Sequence, residues 1–151
     1  MEGMSRRLPN ILLAVTTLAI LALTLWPNPD DGNGTPLARA IVDWLYTIGM
    51  PTAITFEAVE FTANIVMFVP FGLFLALSLP RWMWPWTVVL GLAFTLLIEF
   101  LQAAFLPERF PTVSDLVANT AGALIGGALS LLGGRRRLKG GRPRTARPEP
   151  A

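Results

Sequence analysis

Apolar positions group into four long runs, separated by breaks rich in polar and turn-forming residues. The first run, residues 8–26, carries no charge. About 20 such residues cross a bilayer core as a helix. Trp26 and Pro27 close it, an interfacial aromatic followed by a helix breaker. The second run, residues 56–79, starts after Thr55, a suitable N-cap, with acidic Glu57 in its first turn. Asn64 interrupts it early, and Pro70, which predicts a kink, lies mid-run beside Gly72. The third run covers residues 85–105 and follows Pro80-Arg81-Trp82-Met83-Trp84-Pro85-Trp86, read as a hairpin turn at the membrane interface. A short connection, 106–111, leads to the fourth run at 113–132, which Gly133-Gly134 is expected to end.

Residues 27–55 join the first two runs. Pro27 to Pro36 is an acidic, turn-rich loop. Leu37, Ile41, Trp44, Leu45 and Ile48 then recur at helical spacing over too short a length to span a membrane. Two readings are open for this amphipathic helix. It lies on the membrane surface with Trp44 and Tyr46 at headgroup level, or it packs on the bundle as a lid. Gly49-Met50-Pro51 ends it. The expected fold is therefore all-α: a polytopic, four-helix transmembrane bundle with one short amphipathic surface helix in the first outer loop. Residues 1–7 form a basic head, 8–132 the membrane domain, and 133–151 a basic tail expected to be disordered.

Composition agrees. The 151 residues are 53% hydrophobic and 15% charged, against about 25% charged in ordinary soluble domains. There is no cysteine and no histidine. Disulfides, thiolate chemistry, imidazole bases and the usual zinc and haem ligands are excluded, and no metal or cofactor site is expected. Acid–base chemistry would fall to carboxylates, Tyr46, Lys139 or water.

Charge sets an expected orientation. Arg6, Arg7, Arg81, Arg135, Arg136, Arg137, Lys139, Arg142, Arg144 and Arg147 fall on the side of the termini. The other side has Arg39 and Arg109 among six acidic residues. The positive-inside rule puts both termini in the cytoplasm of a multi-pass cell-membrane protein. The basic tail reads as an anchor on anionic lipid, with nucleic acid not expected as a partner. A cleaved signal peptide competes for the first run, since Ala38-Arg39-Ala40 is loosely A-x-A-like. That site, however, lies some twelve residues beyond an apolar run already long for such a signal.

Ionisable and amide side chains inside apolar runs mark the expected site. Glu99 and Gln102 share a face near the end of the third run. Asp115 and Asn119 share a face near the start of the fourth, and Asn64 comes early in the second. With Arg109 in the connection, these six are expected to form a polar pocket open to the outer surface. Structural readings stand beside the functional one. Thr112-Val113-Ser114-Asp115 fits a capping box. Gln102 and Asn64 could be interhelical hydrogen-bond glue, Arg109 a solvated loop residue, and Glu99–Arg109 a purely structural ion pair. Ala118, Gly122, Gly126, Ser130 and Gly134 recur every fourth residue. This small-residue stripe serves close helix packing, with homo-oligomerisation as the alternative.

These residues resemble the VanZ-like family of membrane proteins. The matching pieces are Asn64-x5-Pro70-Phe71-Gly72, Glu99-x-x-Gln102, Arg109, and Asp115-x3-Asn119-x-x-Gly122-x3-Gly126. The resemblance implies an envelope-facing membrane protein rather than a defined reaction. The family's founding member is linked to low-level resistance to the glycopeptide teicoplanin. Three functions are weighed. In the first, Asn64, Glu99, Gln102, Arg109, Asp115 and Asn119 bind a lipid headgroup or envelope glycolipid, with Arg109 on any anionic group. In the second, an enzyme, Glu99 is a general acid or base and Asp115 its ionised partner, acting on a lipid-linked substrate. No nucleophile or metal motif supports it. The third, ion-coupled transport, ranks last because the polar residues give no path to the inner side.

Overall fold

A computed structural model describes residues 7–26, 36–51, 53–106 and 112–139, and for 36–38 and 133–139 the backbone alone. The order is α1 (Arg7–Thr24), α2 (Pro36–Thr47), α3 (Phe56–Ser78), a 3₁₀ turn (Arg81–Met83), α4 (Trp86–Phe105) and α5 (Val113–Lys139). No strand occurs among the described residues. Helices α1, α3, α4 and the Val113–Leu132 part of α5 are long and apolar enough to cross a membrane. The chain is thus an all-helical, multi-pass bundle with one short extra helix.

The α3–α5 pair forms the most extensive interface, and small residues explain it. A Cβ at Gly126 would strike the backbone of Val69 and Leu73, one at Gly122 the Ile65 carbonyl, and one at Gly72 the backbone of Ala123. Backbones in such contact gain dispersion energy that larger residues would forbid, the main source of helix association in lipid. The neighbouring face of α5 serves α4 likewise. A Cβ at Gly127 would meet Thr87, and one at Gly91 would meet the Ala123 side chain. The Gly122/Gly126 stripe is therefore covered by α3 of the same chain.

Phe68, Phe71, Ile20, Ile98 and Ala123 make the buried core, with Phe94 packed against it. Phe71 and Phe94 stack at 4.9 Å between ring centroids. Outward-facing Ile11, Val15, Leu18, Val66, Leu96, Phe100 and Val117 are exposed, as lipid-facing positions should be. Helix α1 buries only Ile20.

Helix boundaries depart from expectation in places. Helix α5 runs on through Gly133-Gly134 to Lys139 rather than stopping at the glycine pair. Two glycines cost about 1 kcal/mol each relative to alanine. Arg135, Arg136, Arg137 and Lys139 that follow are good helix formers and complement the C-terminal dipole. The basic segment is thus helical to Lys139, and the tail beyond it lies outside the described residues. Helix α1 ends at Thr24, two residues before Trp26. Helix α4 starts at Trp86, with Pro85 as its N-cap. Helix α3 is a single element through Pro70.

Helix α2 packs one face on the bundle and leaves another exposed. Val42 is buried, and the helix packs against α3. Ile41, Trp44 and Ile48, on another face, are exposed. Its end is a Schellman motif: Met50 N–H donates to the Leu45 carbonyl at 3.0 Å and Gly49 N–H to the Tyr46 carbonyl at 3.1 Å. Gly49 has φ 101°, a conformation that favours glycine. The Tyr46 hydroxyl donates to the Ile54 carbonyl at 2.7 Å. Tyr46 therefore ties α2 to the entry of α3, whereas Trp44 keeps the exposed position expected of both.

Candidate functional site

One end of the bundle gathers the C-termini of α1 and α4 with the N-termini of α3 and α5. Its polar side chains form three tiers, because α4 and α5 run antiparallel and each turn advances about 5.4 Å.

The deepest tier joins α4 to α5. Asn119 Nδ2 donates to Thr95 Oγ1 at 2.8 Å, and both residues are buried. The middle tier lies one turn nearer the end on each helix. On α4 it holds Glu99, four residues beyond Thr95 and only 6% exposed. On α5 it holds Asp115, four residues before Asn119. Asn64 Nδ2 donates to Asp115 Oδ1 at 2.7 Å, linking α3 to α5. The uppermost tier contains Gln102, whose Nε2 donates to the Thr24 carbonyl at 2.8 Å. That amide satisfies one of the carbonyls a helix end leaves without an intrahelical donor, and it ties α1, which packs mainly on α3, to α4.

Asp115 is also a helix-start device. The Thr112 hydroxyl accepts from Asp115 N–H at 3.1 Å and donates to Asp115 Oδ2 at 2.7 Å. This is the reciprocity of a capping box, except that the Thr112 hydroxyl rather than its backbone amide donates to the acidic side chain. Both carboxylate oxygens of Asp115 are thus engaged, one by its own helix start and one by α3.

Helix rise gives the end its relief. Asn64 lies eight residues into α3, and Asp115 two residues into α5. Since the two are hydrogen-bonded, α5 begins about 9 Å below the start of α3. Glu99 lies six residues before the end of α4, about 9 Å below that end. The start of α5 is therefore set down between taller neighbours, with Thr112 and Asp115 at its base and Glu99 facing the interior.

Of the six residues expected at the site, Asn64, Glu99, Gln102, Asp115 and Asn119 are brought to this end of the bundle, spread over three tiers. Arg109 lies outside the described residues. Asn64 and Asp115 touch each other; Gln102 and Asn119 bind partners that sequence reasoning did not name. Thr95 was missed because a threonine in an apolar run is unremarkable, although its i−4 spacing from Glu99 is a usable signal. Nothing local could have revealed the Thr24 carbonyl, since every helix end offers such groups. Gly122 and Gly126 lie against the backbone of α3, where a Cβ would clash.

The sequence model of the VanZ/LLP1 family matches residues 10–133, most of the chain and all five of these placed polar residues. No curated protein and no solved structure matches the chain.

Proposed function

Starting from a chain that belongs to the VanZ/LLP1 family of membrane proteins, we propose that the tiered end of the bundle recognises the headgroup of a membrane lipid or envelope glycolipid. The observation that carries this reading is Glu99, a carboxylate 6% exposed within helices of membrane length. Burying a carboxylate in such surroundings is costly, and chains retain one there chiefly for function. The end of the bundle that carries Asn64, Glu99 and Asp115 is the side from which such a headgroup would approach.

The charge pattern of the chain supports an outward-facing site. Basic residues concentrate at the opposite end, with Arg7, Arg81 and the Arg135-Arg136-Arg137 run. That distribution favours both termini in the cytoplasm of a cell-membrane protein. Exposed Ile41, Trp44 and Ile48 on α2 suit the headgroup layer at the site end. The basic segment after Leu132 suits anionic lipid on the other side. Tolerance of a glycopeptide such as teicoplanin would follow if the recognised lipid carries a cell-wall precursor.

Recognition is favoured over acid–base catalysis by Asp115. Its two oxygens are committed to Asn64 and Thr112, so it is held as an acceptor rather than freed as the second member of an acid–base pair. The test uses purified protein in nanodiscs of mixed lipid composition, with lipids counted by mass spectrometry. Glu99→Gln and, separately, Arg109→Ala should keep the helical circular-dichroism spectrum and lower enrichment of the preferred headgroup about tenfold. Unchanged enrichment in both folded variants would reduce the cluster to a structural role. Altered headgroup chemistry in wild type but not in Glu99→Gln would select the enzyme instead.

A further inference from the structure

At the deepest tier the hydrogen-bond inventory does not close. Asn119 is 4% exposed, and its Nδ2 is committed to Thr95 Oγ1. Its Oδ1 is fully buried and has no hydrogen-bond partner among the described residues. A buried amide oxygen left bare costs about 1–3 kcal/mol, and the surrounding lipid offers nothing to satisfy it.

The surroundings say which chemistry would satisfy it. Several donors at this end are already directed elsewhere: Asn64 and the Thr112 hydroxyl to Asp115, Gln102 to the Thr24 carbonyl; the buried Thr120 hydroxyl, next along the helix from Asn119, has no partner among the described residues either. One turn above Asn119 and Thr95 stand two carboxyl side chains, Asp115 and Glu99. An anionic phosphate brings more acceptor oxygens and negative charge, the wrong complement at this depth. A hydroxyl brings the missing proton without a charge.

We propose that Asn119 Oδ1 is the floor of the site and receives a hydroxyl proton, from a sugar or polyol headgroup or from a single bound water. Thr95 is the positioning residue. By accepting from Nδ2 it fixes the orientation of the amide and leaves Oδ1 as the group without a partner. For a headgroup hydroxyl, this inference rests on the headgroup reading above and narrows it to neutral, hydroxyl-bearing lipids. For water, it stands without that reading.

Two measurements separate the sources. In lauryldimethylamine oxide micelles, a detergent without hydroxyls, the side-chain amide protons of Asn119 should show a water cross-peak by NMR if water is the donor. In phosphatidylcholine nanodiscs doped equally with glucosyl diacylglycerol and phosphatidic acid, wild type should enrich the glucosyl lipid about tenfold if a headgroup hydroxyl is the donor. The double variant Thr95→Val/Asn119→Leu removes both polar partners at similar volume and should abolish that enrichment. Thr95→Val alone, the milder change, should lower it about threefold. Absence of a water cross-peak together with unaltered lipid enrichment in the variants overturns the proposal. Preferential enrichment of phosphatidic acid that the variants abolish overturns it as well. Glu99→Gln in the same nanodiscs keeps the two readings apart. If it removes enrichment while Thr95→Val/Asn119→Leu does not, headgroup recognition survives and the hydroxyl floor falls.

Discussion

Asp115 closes its own helix start through Thr112 and ties α5 to α3 through Asn64, so its removal breaks two functions at once. Asp115→Ala should destabilise the bundle by about 2–3 kcal/mol, the sum of a lost cap and a stranded partner. Asn64→Leu loses only the interhelical bond and should cost about 1 kcal/mol, since such bonds between membrane helices are modest. In a double-mutant cycle read by unfolding in mixed micelles, the pair should couple by about 0.5–1 kcal/mol. Strict additivity would mean that the 2.7 Å contact contributes nothing. Gln102 gives a second check. Gln102→Leu removes the side-chain donor to the Thr24 carbonyl and should speed hydrogen exchange at the Leu25 amide, which closes the last turn of α1. Protection equal to wild type would show that α1 does not need this anchor.

Between elements, glycine placement decides which helices meet. Gly126 abuts the backbone of α3, which cannot swing aside as a flexible side chain can. Gly126→Val should therefore separate α3 from α5 and prevent recovery of folded protein from detergent, a loss well above about 3 kcal/mol. Gly127 faces the Thr87 side chain instead. Gly127→Ala should be milder, with a melting temperature only a few degrees lower. Equal effects at the two positions would contradict the assignment of α3 and α4 to different faces of α5. At Gly49 the strain is in the backbone, not in packing: nothing surrounds the missing Cβ, but φ is +101°. Gly49→Ala should cost about 1–2 kcal/mol, concentrated in the α2–α3 turn that Tyr46 latches.

For the whole molecule, orientation is the property that gives the site its meaning. The chain has no native cysteine, so single introduced cysteines report without background. Glu57→Cys lies at the start of α3, at the site end, and Trp82→Cys in the opposite turn, both at exposed positions. In intact cells a membrane-impermeant maleimide should label Glu57→Cys at once and Trp82→Cys only after permeabilisation. The reverse pattern would turn the site toward the cytoplasm and remove envelope lipids of the outer leaflet as its ligands.

The number, type and order of the spanning helices are written in the chain's apolar runs, because a segment in lipid must satisfy its own backbone and only a helix about 20 residues long does so. Glu99, Asn64 and Asp115 were visible for the same reason, as polar groups where hydrocarbon tolerates few. Caps such as Thr112–Asp115 and the Gly49 turn could be read as well, since their partners lie within a few residues. Tertiary structure alone decided who bonds to whom across helices: Asn64 to Asp115, Asn119 to Thr95, Gln102 to the Thr24 carbonyl. It also decided that α5 starts below its neighbours. Those outcomes depend on helix rotation and axial offset, which the close approach at Gly72, Gly122 and Gly126 fixes. A linear pattern gives the spacing along each helix but not the offset between two of them.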